Sequence, residues 1–383
     1  MGVEGPYDDA VVGAGIIGLA HAYQLARRGR RVVVFERGEQ ALGASVRNFG
    51  MLWPIGQPAG ERHDLALRSV DHWHRILVEA GLWHERSGSL HLAYRDDEAA
   101  VLSEFADRAR SSGFEVALLD PAAVGEHSAA VRPDGLKLAL WSATETCVDP
   151  REVIAALPGY LAREHGVRFE FGRAVVGFDA PRVDVGGEAW RASRLWVCAG
   201  DDFATLYPEA FRSAGLVRCK LQMMRSAPVD GGWRLGPMLA AGLTLRHYRS
   251  FEGCPSLPAL RARVAAETPA FDRHGIHVMA SQTGRGEVTL GDSHEYGAAI
   301  GPFDKAEIDD LVLGYLATFL ASPPLRIASR WHGTYAKHPS RHVTVARPAP
   351  SAVAVTGVGG AGMTFAFGVA ERTVGEALGE SVG

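Results

Sequence analysis

Gly13-Ala14-Gly15-Ile16-Ile17-Gly18 is a GxGxxG run between an apolar strand-like segment, Ala10–Val12, and an apolar helical face beginning at Ile16. In that setting the first glycine permits a tight turn and the second lets a pyrophosphate approach the backbone. The third lets helix and strand pack closely. Amide N–H groups at the helix start then face phosphate oxygens. Glu36, 18 residues beyond Gly18 at the end of the next strand-like run and followed by Arg37, suits the ribose hydroxyls of an adenosine. These residues predict a bound dinucleotide and leave FAD and NAD both open.

A second set of residues could act on a small substrate. His277 and His294 carry imidazoles whose ordinary pKa lies near neutrality, suiting them to take a proton from a substrate ammonium. Arg246, His247 and Tyr248 form one polar cluster, and Tyr335, Lys337, His338, Arg341 and His342 form another, rich in cations. Each has a plain structural alternative: a histidine satisfied within the core, Arg246 in a structural ion pair, Arg341 and His342 as surface charges at the turn marked by Pro339.

Positioning these groups requires several elements. Asp9–Arg37 reads as one strand, helix, strand unit. Helical spacing runs from about Leu65 to Gly81 and from Asp97 to Ser111, with alternation at Ser89–Tyr94 between them. Asp149-Pro150 opens a helix to about His165, followed by strands near 167–171, 174–178 and 195–198. Between 216 and 335 the pattern predicts strands at Lys220–Arg225, Leu243–Tyr248, Ile276–Ala280 and Glu287–Gly291, broken by one helix over Lys305–Leu320. The tail gives a strand at Val353–Thr356, a glycine loop and a helix over Thr364–Leu378.

The 383 residues exceed one comfortable core and predict two domains. With 47% apolar and 22% charged residues and a net charge of −4, the balance is that of an ordinary globular protein. It does not point to nucleic acid or an anionic membrane as partner. The opening residues lack a basic and apolar leader pattern, so a cytoplasmic location is expected. Cys147, Cys198, Cys219 and Cys254 are far apart, with no histidine at ligand spacing, and are expected as free thiols without a metal.

Four stretches together resemble the glycine oxidase and D-amino-acid oxidase family of FAD-dependent oxidoreductases: the Gly13–Gly18 loop, Gly43–Met51, Val197–Gly200 and Gly357–Thr364. The resemblance implies an α/β, overall α+β, chain in which a Rossmann-like FAD domain of the glutathione-reductase type is interleaved with a mixed-sheet substrate domain. It divides the chain into 1–85, 146–215 and 339–383 for FAD, and 86–145 and 216–338 for substrate. Carried over by position, it implies non-covalent FAD held by Gly13, Gly15, Ile17, Gly18, Glu36 and Arg37. It adds Ser45, Arg47, Asn48, Gly50 and Met51 against pyrophosphate and flavin, Val175 at the adenine, and Ala199 and Gly200 beside the cofactor. Gly360, Ala361, Gly362, Met363 and Thr364 would lie over the flavin ring.

Members of this family usually carry an arginine two residues after the glycine of a Trp-x-Gly segment, whose fork takes the substrate carboxylate. Here the segment is Trp331-His332-Gly333-Thr334-Tyr335, so Tyr335 stands at that position. A buried carboxylate without a matched donor is costly, which argues for a different anion. Ser45–Gly56, Cys219–Met223, Gly242–Tyr248, Cys254–Leu260 and Gly291–Gly297 are similar to a subgroup associated with phosphonate catabolism. That likeness implies oxidation of 2-aminoethylphosphonate or its N-methyl derivative to phosphonoacetaldehyde, with O2 accepting the electrons. The alternative is a small amino acid such as glycine, sarcosine or a D-amino acid.

Overall fold

The computed structural model describes residues 4–380. β1 (Glu4–Val12), α1 (Ile16–Ala26) and β2 (Val32–Glu36) form the expected first unit, with β1 and β2 parallel and Val12 opposite Phe35. The sheet that they start has eight strands, with Glu188–Val197 beside β1, Arg168–Phe171 beside β2, and Ala352–Thr356 parallel to Glu188–Val197.

Alternate residues of these strands face two separate apolar layers. Val11, Val32, Val34 and Trp196 pack on one side against α1 and the helices Glu61–Glu79, Pro150–His165 and Gly362–Leu378. Ala10, Val33, Phe35, Leu195 and Val197 face the other side, where Val183, Val185, Trp190 and Phe211 cover them. A sheet covered on both faces needs apolar residues at consecutive positions, which explains why these strands read as continuous apolar runs.

A second sheet has nine strands, drawn from residues 89–142 and 217–337. Its longest pair is Val217–Pro228 against Ile327–Lys337, antiparallel, with Cys219 opposite Tyr335 and Met223 opposite Trp331. Met51–Leu52, Thr146–Val148 and His84–Glu85 form a small third sheet, with Thr146–Val148 in the middle.

Three sequence expectations need correction. Leu243–Tyr248 is not a strand: Gly242–Leu245 is a helical turn, and Arg246–Tyr248 continues as a bend. Leu243 and Leu245 look alternating, but Thr244 between them is equally buried, so the segment is covered all round and its pattern carries no strand signal. The middle region holds two further helices, Leu257–Glu267 and Pro269–Arg273. Pro258 and Pro269 resemble breakers in the sequence, yet both occupy a first helical turn, where no N–H is needed. The strand expected at Ile276–Ala280 runs instead over Met279–Gln282, and His277 exchanges backbone hydrogen bonds with Asp292 just before it.

Among the described residues, no helix is long and apolar enough to cross a membrane. All four cysteines are free and buried.

Candidate active site

The Gly13–Gly18 loop turns from the end of β1 into α1. A Cβ on Gly18 would lie 1.9 Å from the Gly13 carbonyl oxygen, so the third glycine is required by packing rather than by contact with a ligand. Glu36 at the end of β2 accepts hydrogen bonds from the Ala14 amide at 3.0 Å and the Gly38 amide at 3.0 Å. The carboxylate thereby fixes the turn and remains in the wall of a cavity of about 720 Å³. Ser45 Oγ accepts from the Ile16 amide at 2.9 Å, which ties the Gly43–Met51 loop to the start of α1.

Gly13, Gly15, Ile17, Glu36, Arg37, Ser45, Arg47, Asn48, Val175, Ala199, Gly200, Gly360, Gly362 and Met363 all line this cavity. Gly18 and Gly50 do not. A Cβ on Gly50 would lie 2.0 Å from the Val148 carbonyl oxygen, a close backbone approach that positions the loop from behind. Arg37 pairs with Asp202 across the rim at 2.9 Å, and Arg47 donates to the His332 carbonyl at 3.1 Å.

A smaller cavity, about 270 Å³, adjoins the first. Asn48, Leu221, Tyr335 and the Gly357–Gly360 loop face both, so a group lying across their boundary would be reached from either side. Met51, Ala361, Thr364, Tyr248, His277, His294 and Lys337 line the smaller cavity, joined by Arg341 and His342. Tyr335 is buried, and burial pushes its hydroxyl well above the usual tyrosine range. Lys337 Nζ donates to the Tyr296 hydroxyl at 2.9 Å, and partial burial lowers its pKa. Burial holds His294 down to about 4, and His277 and His247 are likewise held well below their ordinary 6.5, so these imidazoles are neutral at neutral pH.

Two expected site residues are not brought there. Arg246 pairs with Asp272 and donates to the Ile276 carbonyl, a structural role outside both cavities. Trp331 also lies outside both, stacked beneath the Arg151 guanidinium at 4.9 Å. Trp331 is four residues from Tyr335 and shares its face of the strand, so alternation does not separate them; it lies two positions beyond Gly333, where this strand leaves the cavity wall.

Gln57, Arg62 and Arg249 line the smaller cavity without any sequence signal, and Trp53 and Asp292 entered only as members of longer segments with no role assigned. They come from separate segments that only the fold brings together. The convergence of His247, His277 and His294, with ligand-capable atoms within 4.8 Å of one another, was equally invisible, since their spacing matches no metal-ligand pattern.

The larger cavity fits FAD on its own geometry. An acidic side chain stands at the β2 end and the start of α1 opens toward the cavity wall. At Gly43 and Gly200, both on that wall, a Cβ would meet nothing within 4 Å, so the backbone is bare toward the space.

The DAO family profile, described as FAD dependent oxidoreductase, matches residues 8–375. A glycine oxidase of Geobacillus kaustophilus (strain HTA426) is 50% identical over 46 residues, 12% of each chain. A protein of Rhizobium etli described as a thiamine biosynthesis oxidoreductase, ThiO, is 38% identical over 158 residues, 39% of this chain and 45% of that one. The matched segments thus span less than half the length of these curated relatives. The crystal structure of glycine oxidase from Bacillus cereus ATCC 14579 superposes with a TM-score of 0.77 at 16% identity, covering 98% of this chain and 95% of the other. At that identity the likeness concerns the fold. The chain belongs to the DAO family of FAD-dependent oxidoreductases.

Proposed function

We propose that this protein oxidises the C–N bond of a small aminophosphonate, 2-aminoethylphosphonate or its N-methyl derivative, to phosphonoacetaldehyde. Bound FAD would accept the hydride from the carbon next to nitrogen, with O2 as the final acceptor. Hydrolysis of the resulting imine releases the aldehyde with ammonia, or with methylamine from the N-methyl derivative, and O2 would leave as hydrogen peroxide.

The observation that carries this reading is the charge of the smaller cavity. Arg62, Arg249, Lys337 and Arg341 line it, against a single lining acid, Asp292, whose carboxyl burial pushes well above its usual range toward the neutral form. A phosphonate offers three oxygens and nearly two charges, which several separate donors satisfy better than one planar fork. Tyr335 at the family's arginine position agrees with that anion, since it supplies one hydroxyl where a carboxylate would require a bidentate cation.

The remaining roles follow from position. Tyr335 and the Gly357–Gly360 loop sit at the boundary of the two cavities, where a substrate carbon would meet the flavin. The positive end of the helix Gly362–Leu378 opens there and favours charge developing on a reduced cofactor. The neutral imidazoles of His277 and His294 carry lone pairs that can accept a hydrogen bond from the substrate ammonium, while burial makes them weaker bases than an ordinary imidazole. Free cysteines suit a reducing compartment, and we place the reaction in the cytoplasm.

A small amino acid is the second reading, favoured by the segment shared with a glycine oxidase. Anaerobic reduction of the bound flavin decides between them, with 2-aminoethylphosphonate, its N-methyl derivative, glycine and sarcosine offered separately. Bleaching by the phosphonates alone is expected; bleaching by glycine or sarcosine alone would transfer the enzyme to the amino-acid oxidases.

A further inference from the structure

We propose that His247, His277 and His294, with the Asp292 carboxylate beside His277, form a binding site for one divalent transition-metal ion, of the zinc class, in the wall of the smaller cavity. Each of the three histidines offers a ring nitrogen, and these atoms lie within 4.8 Å of one another. All four side chains line the same cavity.

Two buried groups lack the partners that burial ordinarily demands. His277 Nδ1 and Asp292 Oδ1 have no hydrogen-bond partner, although their residues are only 3% and 4% exposed. Asp292 Oδ1 is 3.1 Å from His277 Nε2, yet the pair does not meet hydrogen-bond geometry. An ion seated on the free His277 Nδ1 leaves Nε2–H facing the Asp292 carboxylate, the kind of support that a metal-ligating imidazole ordinarily has.

The imidazole rings support the same reading. His294 Nδ1 donates to the Gly275 carbonyl at 3.0 Å, which fixes the ring and leaves Nε2 as its lone-pair atom. A backbone carbonyl taking the second N–H is the usual support of a metal-ligating histidine. The His277 and His294 ring centres are 5.2 Å apart, close to the roughly 5 Å that two imidazoles keep around one tetrahedral ion. His247 lies nearer, 3.9 and 4.5 Å from them, and is the less deeply buried member, so it is the ring that would turn. Three neutral imidazole nitrogens with a fourth position left open is a donor set suited to zinc and its neighbours rather than to magnesium or calcium.

The site was hidden in the sequence because its three histidines are spread over 48 positions with no regular spacing. His247 follows the helical turn Gly242–Leu245, while His277 and Asp292 face each other across a two-residue backbone pairing. Metal binding stands whether or not the substrate is an aminophosphonate. An ion and the substrate ammonium compete for the same lone pairs, so flavin reduction is assayed on the chelated enzyme and zinc uptake in the absence of amine.

The test uses the flavin-bound holoenzyme, freed of metal by a chelator and titrated with Zn2+ against a chromophoric competitor. Metal content after desalting is measured by mass spectrometry. One Zn2+ per chain is expected, with affinity falling about tenfold or more in His294→Ala and in Asp292→Asn. Retained flavin absorbance reports that each variant is folded. Should either variant lose its flavin, X-ray absorption of the zinc-loaded wild type replaces it, with nitrogen ligands of the imidazole type at about 2.0–2.1 Å expected. Wild-type protein that takes up no zinc, variants that bind it as tightly, or a zinc spectrum without imidazole scattering would each overturn the site. None of these results bears on whether aminophosphonates bleach the flavin.

Discussion

Ser45 Oγ and the Ile16 amide, 29 residues apart, meet at 2.9 Å in a hydrogen bond that joins the two N-terminal glycine loops. Each loop forms part of the wall of the larger cavity, so the bond sets the distance between the helix start and the Gly43–Met51 segment. Ser45→Ala removes the acceptor without adding bulk. The expected result is a folded protein whose FAD dissociates about fivefold to tenfold more readily, from a loss of roughly 1 kcal/mol. Flavin retained after gel filtration at low concentration checks it.

Gly18→Ala should be far more severe. Its Cβ would sit 1.9 Å from the Gly13 carbonyl oxygen, on two backbone segments that cannot both yield. Loss of soluble yellow protein is expected, and recovery of a flavin-bound G18A enzyme at wild-type yield would show that the turn is less rigid than its geometry implies.

Glu36 holds two amides of the dinucleotide turn while facing the cavity. Glu36→Gln keeps one carbonyl acceptor but loses the charge, so FAD affinity should fall by about tenfold to a hundredfold. Measuring the FAD dissociation constant of reconstituted apoprotein gives the number directly.

Lys337 lies in the smaller cavity's lining, 2.9 Å from the Tyr296 hydroxyl. Under the proposed function, Lys337→Gln should raise KM for the aminophosphonate by about tenfold, with a smaller change in kcat, because the ammonium binds the anion in ground and transition states alike. An unchanged KM would remove Lys337 from the anion site.

Buried histidines make stability sensitive to acid. Burial lowers His91 to about 3 and His21 to about 4 from the ordinary 6.5. Below about pH 6.5 the unfolded chain takes protons that the folded chain refuses, so stability falls with pH from there toward about 4 for both groups and onward to about 3 for His91. Each group weakens the fold by up to about 1.4 kcal/mol per pH unit in that window. Neither ring nitrogen of His91 has a partner, and the ring packs between Trp53 and Phe251. His91→Leu should therefore flatten the acid limb of a Tm-against-pH curve while leaving Tm at pH 8 within a few degrees.

Much of the cofactor half was legible in the sequence because it is local. β1, the glycine turn, α1, β2 and Glu36 lie within 33 residues, and short-range sterics plus apolar periodicity dictate their form. The C-terminal glycine loop and its helix were readable for the same reason. Tyr335, two residues after Gly333 where the resemblance implies an arginine, is likewise read along the chain, and it lines both cavities.

The substrate half was decided by tertiary structure. Arg62, Arg249, Lys337 and Asp292 lie up to 275 residues apart and share a cavity only because the long pair Val217–Pro228 and Ile327–Lys337 folds back against the Gly43–Met51 loop. Arg246 and Tyr248 are two residues apart, yet one pairs with Asp272 outside the site while the other lines it, because the chain bends after Leu245 instead of running on as a strand. The amino-acid sequence thus determined which residue types were available and where short-range order would place them. Which of them face one another was set by the burial of both faces of two large sheets, a long-range packing condition that no local spacing records.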